Sequence, residues 1–455
     1  MRVKSAASGM RRRTVLRGVG VFGAAGGLSL AAACGAQPTT GEGQPQATGK
    51  NVTIKITARQ VPETDMWPVR APAFQEKYPN IKVEPDLHAG DIQEKEAALI
   101  ASGEIGDVAH THFSAAQPQR LYLGRSMREL DSFINKDKLD LKQWYPQAID
   151  AGRLDGKVIA LPFKGKMATV ALFYNQTLFE QGGVKPPDLN TTLNDLAEGA
   201  TKLTRPDGSQ WGLVGFMPAS ARNVTGVVRR WNAELFNKDQ TRVTLDTQEA
   251  RAAFGWYYDA LHRRKFMTVT DDQKLFREGK AAMMIHRDFN EKTTIQPAAE
   301  TQGFKYSATL IPKGPGGKRG GVWIPDALQL SSISKNPDEA WLVLKWFADH
   351  DTGLALALQK SPGVSTTPGA RPDVYNDPKF LNHEVYPKLL QELDRDSNLL
   401  PENYQGSVPA NYKIPDVDTV LTRAMTAVAN NQAEPTPSFL KALNDELQNI
   451  LDQPR

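Results

Sequence analysis

Catalysis needs a nucleophile with its base, paired carboxylates, a metal set or a cofactor cradle. The 455 residues hold no G-x-S-x-G, no H-E-x-x-H and no G-x-x-x-x-G-K-[ST]. Gly18-Val19-Gly20-Val21-Phe22-Gly23 matches G-x-G-x-x-G. That pattern binds dinucleotides only where it follows a strand and opens a helix, and here it lies in a leader-like segment. His110 and His112 stand two apart, on one side of a strand. No further ligand follows at metal-binding spacing, so they read as a polar cleft rim. Residues 313–321, KGPGGKRGG, are basic and Gly-rich enough to cradle an anion. They lack phosphate-loop spacing and predict a solvated hairpin. What remains is eight tryptophans interspersed with Arg, His, Asn and Asp. Flat apolar platforms with a few aimed polar groups suit solute capture. Aromatic faces stack on the C–H faces of pyranose rings, and the polar groups hydrogen-bond the hydroxyls. The chain is therefore expected to bind rather than to catalyse, with no cofactor and no metal.

The charge balance narrows the partners. The formal net charge is +4, but residues 1–33 carry six basic residues and no acids, which leaves −2 for the remainder. The basic excess belongs to a targeting segment, and nucleic-acid binding loses its support. The basic run precedes an apolar stretch at 19–33, shorter than the roughly 20 residues a spanning helix needs. The single cysteine, Cys34, closes that stretch, which is a signal-peptide layout. Arg12-Arg13-Thr14-Val15-Leu16-Arg17 resembles the twin-arginine export motif. Leu30-Ala31-Ala32-Ala33-Cys34 resembles a bacterial lipobox, with Ala31 where Leu is usual. Residues 34–50, poor in large apolar side chains, read as a flexible tether from a lipid on Cys34. The protein is thus expected on the outer face of the cell membrane, held there by its lipid.

The elements that must position a site follow from periodicity. Val52, Ile54 and Ile56 alternate with polar residues, as in a half-buried strand. A helix over 66–78, a strand from Ile81, a helix over 92–102 and a strand over 107–112 come next. That alternation implies an open, mostly parallel sheet. Ligands bind outside the carboxyl ends of such strands, which makes 59–67 and 110–114 a candidate rim and Arg59, Trp67 and His112 candidate contacts. Asn336-Pro337-Asp338-Glu339 carries a capping-box pattern. Amphipathic helices are expected over 419–430 and 438–451.

The order of motifs resembles family 1 of the extracellular solute-binding lipoproteins of ATP-binding-cassette importers, typified by maltose- and oligosaccharide-binding members. The resemblance is carried by Phe74-Gln75-Glu76-Lys77-Tyr78-Pro79-Asn80-Ile81-Lys82-Val83, by Ala160-Leu161-Pro162-Phe163, by Phe173-Tyr174-Asn175, and most specifically by Phe276-Arg277-Glu278-Gly279-Lys280-Ala281-Ala282-Met283-Met284. It implies an α/β fold of the type II periplasmic-binding-protein kind. Each of two lobes would be an open, mostly parallel sheet flanked by helices, closing on ligand in the cleft between them. The implied partition is 51–160 with 281–333 for the N-terminal lobe and 161–280 with 334–455 for the C-terminal lobe. The resemblance also points to Trp231, Asn232 and Trp323 as ligand contacts. His286-Arg287-Asp288 stands where relatives place a Gly-x-Trp segment, a change that admits anionic solutes. The function implied is capture of a small polar solute, foremost a mono- or oligosaccharide, by a monomer that delivers it to the permease subunits of an importer. The rival readings are an exported hydrolase, or a binder of a polyol phosphate, a peptide or another anionic solute.

Overall fold

The computed structural model describes residues 50–60, 66–89, 92–112, 117–168, 171–215, 218–269, 272–286, 295–358, 370–382 and 413–454. Two five-stranded sheets organise them. The first has the order β2-β1-β3-β12-β6, built from β1 (Val52–Arg59), β2 (Ile81–His88), β3 (Val108–His112), β6 (Leu161–Ala168) and β12 (Val322–Leu330). The second has the order β11-β7-β10-β8-β9, from β7 (Ala171–Asn175), β8 (Trp211–Val214), β9 (Met267–Thr268), β10 (Ala281–His286) and β11 (Tyr306–Leu310). Between β3 and β6 in sequence, β4 (Arg153–Leu154) and β5 (Lys157–Val158) form a hairpin. Asp155 and Gly156 turn it with φ of 49° and 81°, the left-handed pair that matches the strand twist.

Each sheet carries one antiparallel strand. β12 runs against β3 and β6, and β7 runs against β10 and β11. These are the two strands the chain enters just after leaving the other sheet, from β6 into β7 and from β11 into β12. The crossings thus explain the mixed direction in otherwise parallel sheets. Helices cover the faces. Met66–Lys77 and Pro337–Phe347 pack beside β1 and β2, while Leu193–Leu203 packs on β8. Ile414–Ala429 and Pro437–Leu451 bury Val417, Leu421, Leu440 and Leu447 with Val224 and Phe254 of the helices that follow β8.

Local chemistry sets several helix ends. Asn175 accepts from the Leu178 N–H at 3.1 Å to start Gln176–Gly182, and Gly183 ends it with φ 61°. Thr192 and Asp195 form a reciprocal capping box at Leu193–Leu203. The box expected at Asn336 does not form. Pro337 opens the helix as expected, but the Asn336 side chain makes no cap bond and Glu339 is buried.

Sheet membership departs from the expected partition. Residues 281–310 pair in the second sheet through β10 and β11, and β6 belongs to the first. The helices Pro337–Phe347 and His350–Ala357 pack on first-sheet strands. The reason is pairing. Met283 and Met284 of β10 sit opposite Tyr174 and Phe173 of β7 and beside Leu213 and Val214 of β8, so β10 stays in the sheet its neighbours build.

Candidate ligand-binding site

At the first sheet, β3 ends at His112, which lies opposite Asp326 of β12 in the antiparallel register. Asp326 is buried and accepts from Lys164 Nζ of β6 at 2.9 Å and faces His110 Nε2 at 3.3 Å. The His110 ring meets Phe163 edge-on, with centroids 5.1 Å apart. Three adjacent strands so bring an acid, an amine and an imidazole together near the carboxyl end of β3. Such a buried group is stable only while its charges stay matched.

At the second sheet, the carboxyl ends of the parallel strands β8, β9 and β10 frame a small cavity of about 20 Å³. Gly215, Met267 and Ile285 line it from the strands, and Arg230, Trp231 and Trp256 from the helical side. The Ala221–Val228 helix passes into a tight turn, Arg229–Trp231, and ends at Asn232. Asn232 adopts φ 65° and its N–H reaches the Arg229 carbonyl at 3.0 Å. Asn tolerates that left-handed conformation better than most residues. Arg229 pairs with Glu234 at 2.9 Å. Arg230 is buried, and its Nε donates to the Arg319 carbonyl at 3.3 Å. Burial pushes the Arg230 pKa down to about 10, which leaves it cationic at neutral pH.

The stretch 313–321 is not the solvated hairpin expected. Arg319 is 2% exposed and donates to the Ile311 and Leu189 carbonyls at 2.6 and 3.0 Å. Its glycines are needed for close approach. A Cβ on Gly320 would sit 2.1 Å from the Gly226 oxygen, and one on Gly314 would sit 2.3 Å from that of Arg230. This return crossing is therefore clamped against the turn that carries Arg230 and Trp231, and the helix before that turn touches β12.

The sequence candidates fall into three groups. Arg59, His112 and His286 are the last residues of β1, β3 and β10, at the carboxyl ends of parallel strands. Arg59 is exposed, opposite His88. Trp323 is the second residue of β12, paired with Met167, at the same edge of the first sheet as His112. Trp67 stands in the first turn of Met66–Lys77. Trp231 is 9% exposed and meets Trp256 in a tilted contact with ring centroids 6.0 Å apart, so most of its surface is spent on packing. Asn232, with its side chain exposed, serves the turn. Arg287, Asp288, Cys34, Arg12 and Arg13 lie outside the described residues. Sequence reasoning did not select Lys164, Asp326 or Arg230. Only the Arg229-Arg230-Trp231 adjacency hinted at Arg230, and adjacent arginines usually mark a solvated face.

Residues 61–353 match the family described as bacterial extracellular solute-binding protein. The chain belongs to this family. It is 32% identical over 206 residues to a protein of Brucella abortus (strain 2308) named as a binding protein, covering 44% of this chain and 48% of that one. Against the mannitol-binding protein of Pseudomonas aeruginosa identity is 23% over 256 residues, or 51% of this chain and 54% of that one. The chain therefore spans about half the length of the curated relatives it matches. Among solved structures, a cyclic alpha-maltosyl-1,6-maltose binding protein from Arthrobacter globiformis is similar with a TM-score of 0.73 and 15% identity, over 88% of this chain and 99% of that one. An ABC substrate-binding protein from Listeria monocytogenes in complex with cycloalternan gives 0.70 and 19%, over 87% and 98%. These similarities show the two-lobe α/β fold of solute-binding proteins. Membership places the chain among extracellular binding proteins rather than in an enzyme family, and no helix of the described residues is long and apolar enough to cross a membrane.

Proposed function

We propose that this solute-binding protein captures a carbohydrate or polyol in the cleft between its two lobes and presents it to the permease of an importer. The observation that carries the reading is the family match over residues 61–353. Similar proteins with mannitol or cyclic glucan in their names support the ligand class. One lobe would be built on the first sheet from residues 50–168 and 322–382. The other would be built on the second sheet from 171–310 and 413–454. Arg59, Trp67, His112 and Trp323 would face the solute from the first, and Trp231, Asn232, His286, Arg287 and Asp288 from the second. Ligand touching both lobes favours the closed arrangement and shifts the population toward it. Export through the Arg12-Arg13 motif and acylation of Cys34 would hold the protein at the outer membrane face.

The test is a thermal-unfolding screen of the protein against mono-, di- and oligosaccharides and polyols. A ligand at 100 times its dissociation constant stabilises by about 2.7 kcal/mol. An upward shift in the midpoint with one sugar class is expected. Equal midpoints across the whole panel would contradict the carbohydrate assignment, and release of a chromogenic sugar product would contradict binding without catalysis.

A further inference from the structure

The two crossings run side by side for a short stretch. Residues 165–168 of β6 pair with 322–325 of β12, Gly165 opposite Pro325 and Ala168 opposite Val322. This two-stranded ribbon is held at both ends. Toward the second sheet, the return crossing is fixed as far as Gly320. Buried Arg319 donates to the Leu189 carbonyl at 3.0 Å, Lys313 bridges to Thr192, and Gly320 lies against the Gly226 oxygen. Toward the first sheet, Trp144 Nε1 donates to the Pro162 carbonyl at 2.9 Å.

The ladder breaks at that first-sheet end. Asp326 lies opposite Lys164 but Ala327 lies opposite Pro162, so Phe163 is an extra residue in β6. A bulge of this kind interrupts the ladder and lets a strand bend and twist. Left open, it would let bending of the ribbon spread into the first sheet. Lys164 and Asp326 close it, with Nζ and Oδ2 2.9 Å apart and side chains only 11% and 6% exposed. His110 of β3 faces the same carboxylate oxygen at 3.3 Å, which ties the pair to a third strand. Opening the bulge would pull two opposite charges apart away from water, which is strongly unfavourable.

Resting on the capture reading above, we infer that Lys164 and Asp326 are positioning residues for lobe closure: their ion pair stops the bend at the bulge and confines it to the ribbon 165–168/322–325. The first sheet then moves as one body, and the resting angle between the lobes is held within a narrow range. More of the ligand-free molecules stand ready to close, and apparent affinity scales with that fraction. Neither residue needs to touch the solute.

The experiment measures the distance between spin labels on Lys82→Cys of β2 and Lys441→Cys of Pro437–Leu451, both exposed positions, in a Cys34→Ser background. Lys164→Gln/Asp326→Asn removes both charges of the pair at once. Without ligand it is expected to give a broader distance distribution than the parent. For the sugar that stabilises the protein most in the unfolding screen, its dissociation constant should rise about threefold or more. Lys164→Arg keeps the pair and should match the parent in both readouts. Ile54→Ala, a core cavity in β1, controls for lost stability and should lower the unfolding midpoint without moving either readout. Should the double variant not fold, Lys164→Gln alone carries the comparison. A parent-like distribution and affinity in the charge-free variant, or equal broadening in Ile54→Ala, would overturn the inference and leave capture by closure standing. A parent whose label distance stays fixed with a bound sugar would overturn the closure reading and this inference with it.

Discussion

Trp231 illustrates how one side chain can be drawn by two demands. It packs with Trp256, Val224 and Val228 in the helical core and also lines the small cavity at the strand ends. Trp231→Ala should therefore cost about 3–5 kcal/mol of stability, read as a lower denaturant midpoint. Trp231→Phe should cost clearly less. A midpoint unchanged in the Ala variant would contradict the packing described. The Asp326 carboxylate is a second case, since it faces both Lys164 and His110. Asp326→Ala should lose stability by more than a surface substitution does, because it removes the carboxylate that pairs with Lys164 inside the sheet. A loss within 0.5 kcal/mol would show that the charges find water instead. Neither role was legible in the sequence. Trp suits cores and clefts alike, and a Lys–Asp–His group spread over positions 110, 164 and 326 is assembled only by strand pairing. Arg59, His112 and His286 were legible as candidates because strand-end positions follow from local periodicity or from aligned motifs.

The alternation in β1 was legible because it needs only neighbouring residues, whereas the equally local capping pattern at Asn336 opened a helix without its cap bond. What could not be read is which sheet a strand joins. The run Ala281-Ala282-Met283-Met284-Ile285 is apolar throughout, so it carries no inside–outside alternation to announce its partners. The clamp between the return crossing and the Ala221–Val228 helix was hidden because a basic, Gly-rich stretch reads equally as a solvated turn. Gly320 has φ 73° and no room for a Cβ, and Gly320→Ala should lower the unfolding midpoint by more than a surface substitution does. An unchanged midpoint would mean that the crossing is not clamped.

The start of that helix adds a pH signature. Asp418 accepts from the Ala221 N–H at 2.6 Å, yet burial raises its pKa to about 6, outweighing that bond and Arg222. The folded state then holds a proton that the unfolded chain has released, so stability falls as pH rises from about 4 to 6. Asp418→Asn keeps the acceptor and should flatten that part of the stability profile. An unaltered slope between pH 4 and 6 would assign the dependence elsewhere.

Among the described residues, two strand-to-strand crossings connect the sheets, β6 to β7 and β11 to β12, and each sheet places one antiparallel strand beside the crossing that feeds it. Strand crossings of this kind are segments about which two lobes can bend, as capture by hinge closure requires. The second connection is packed against the turn that holds Arg230. The proposed capture requires that a carbohydrate draw the two lobes together. Small-angle scattering of the protein, alone and saturated with the sugar that stabilises it most in the thermal-unfolding screen, tests it most directly. The predicted result is a smaller radius of gyration in the saturated sample. A saturated sample with an unchanged or larger radius would contradict the account.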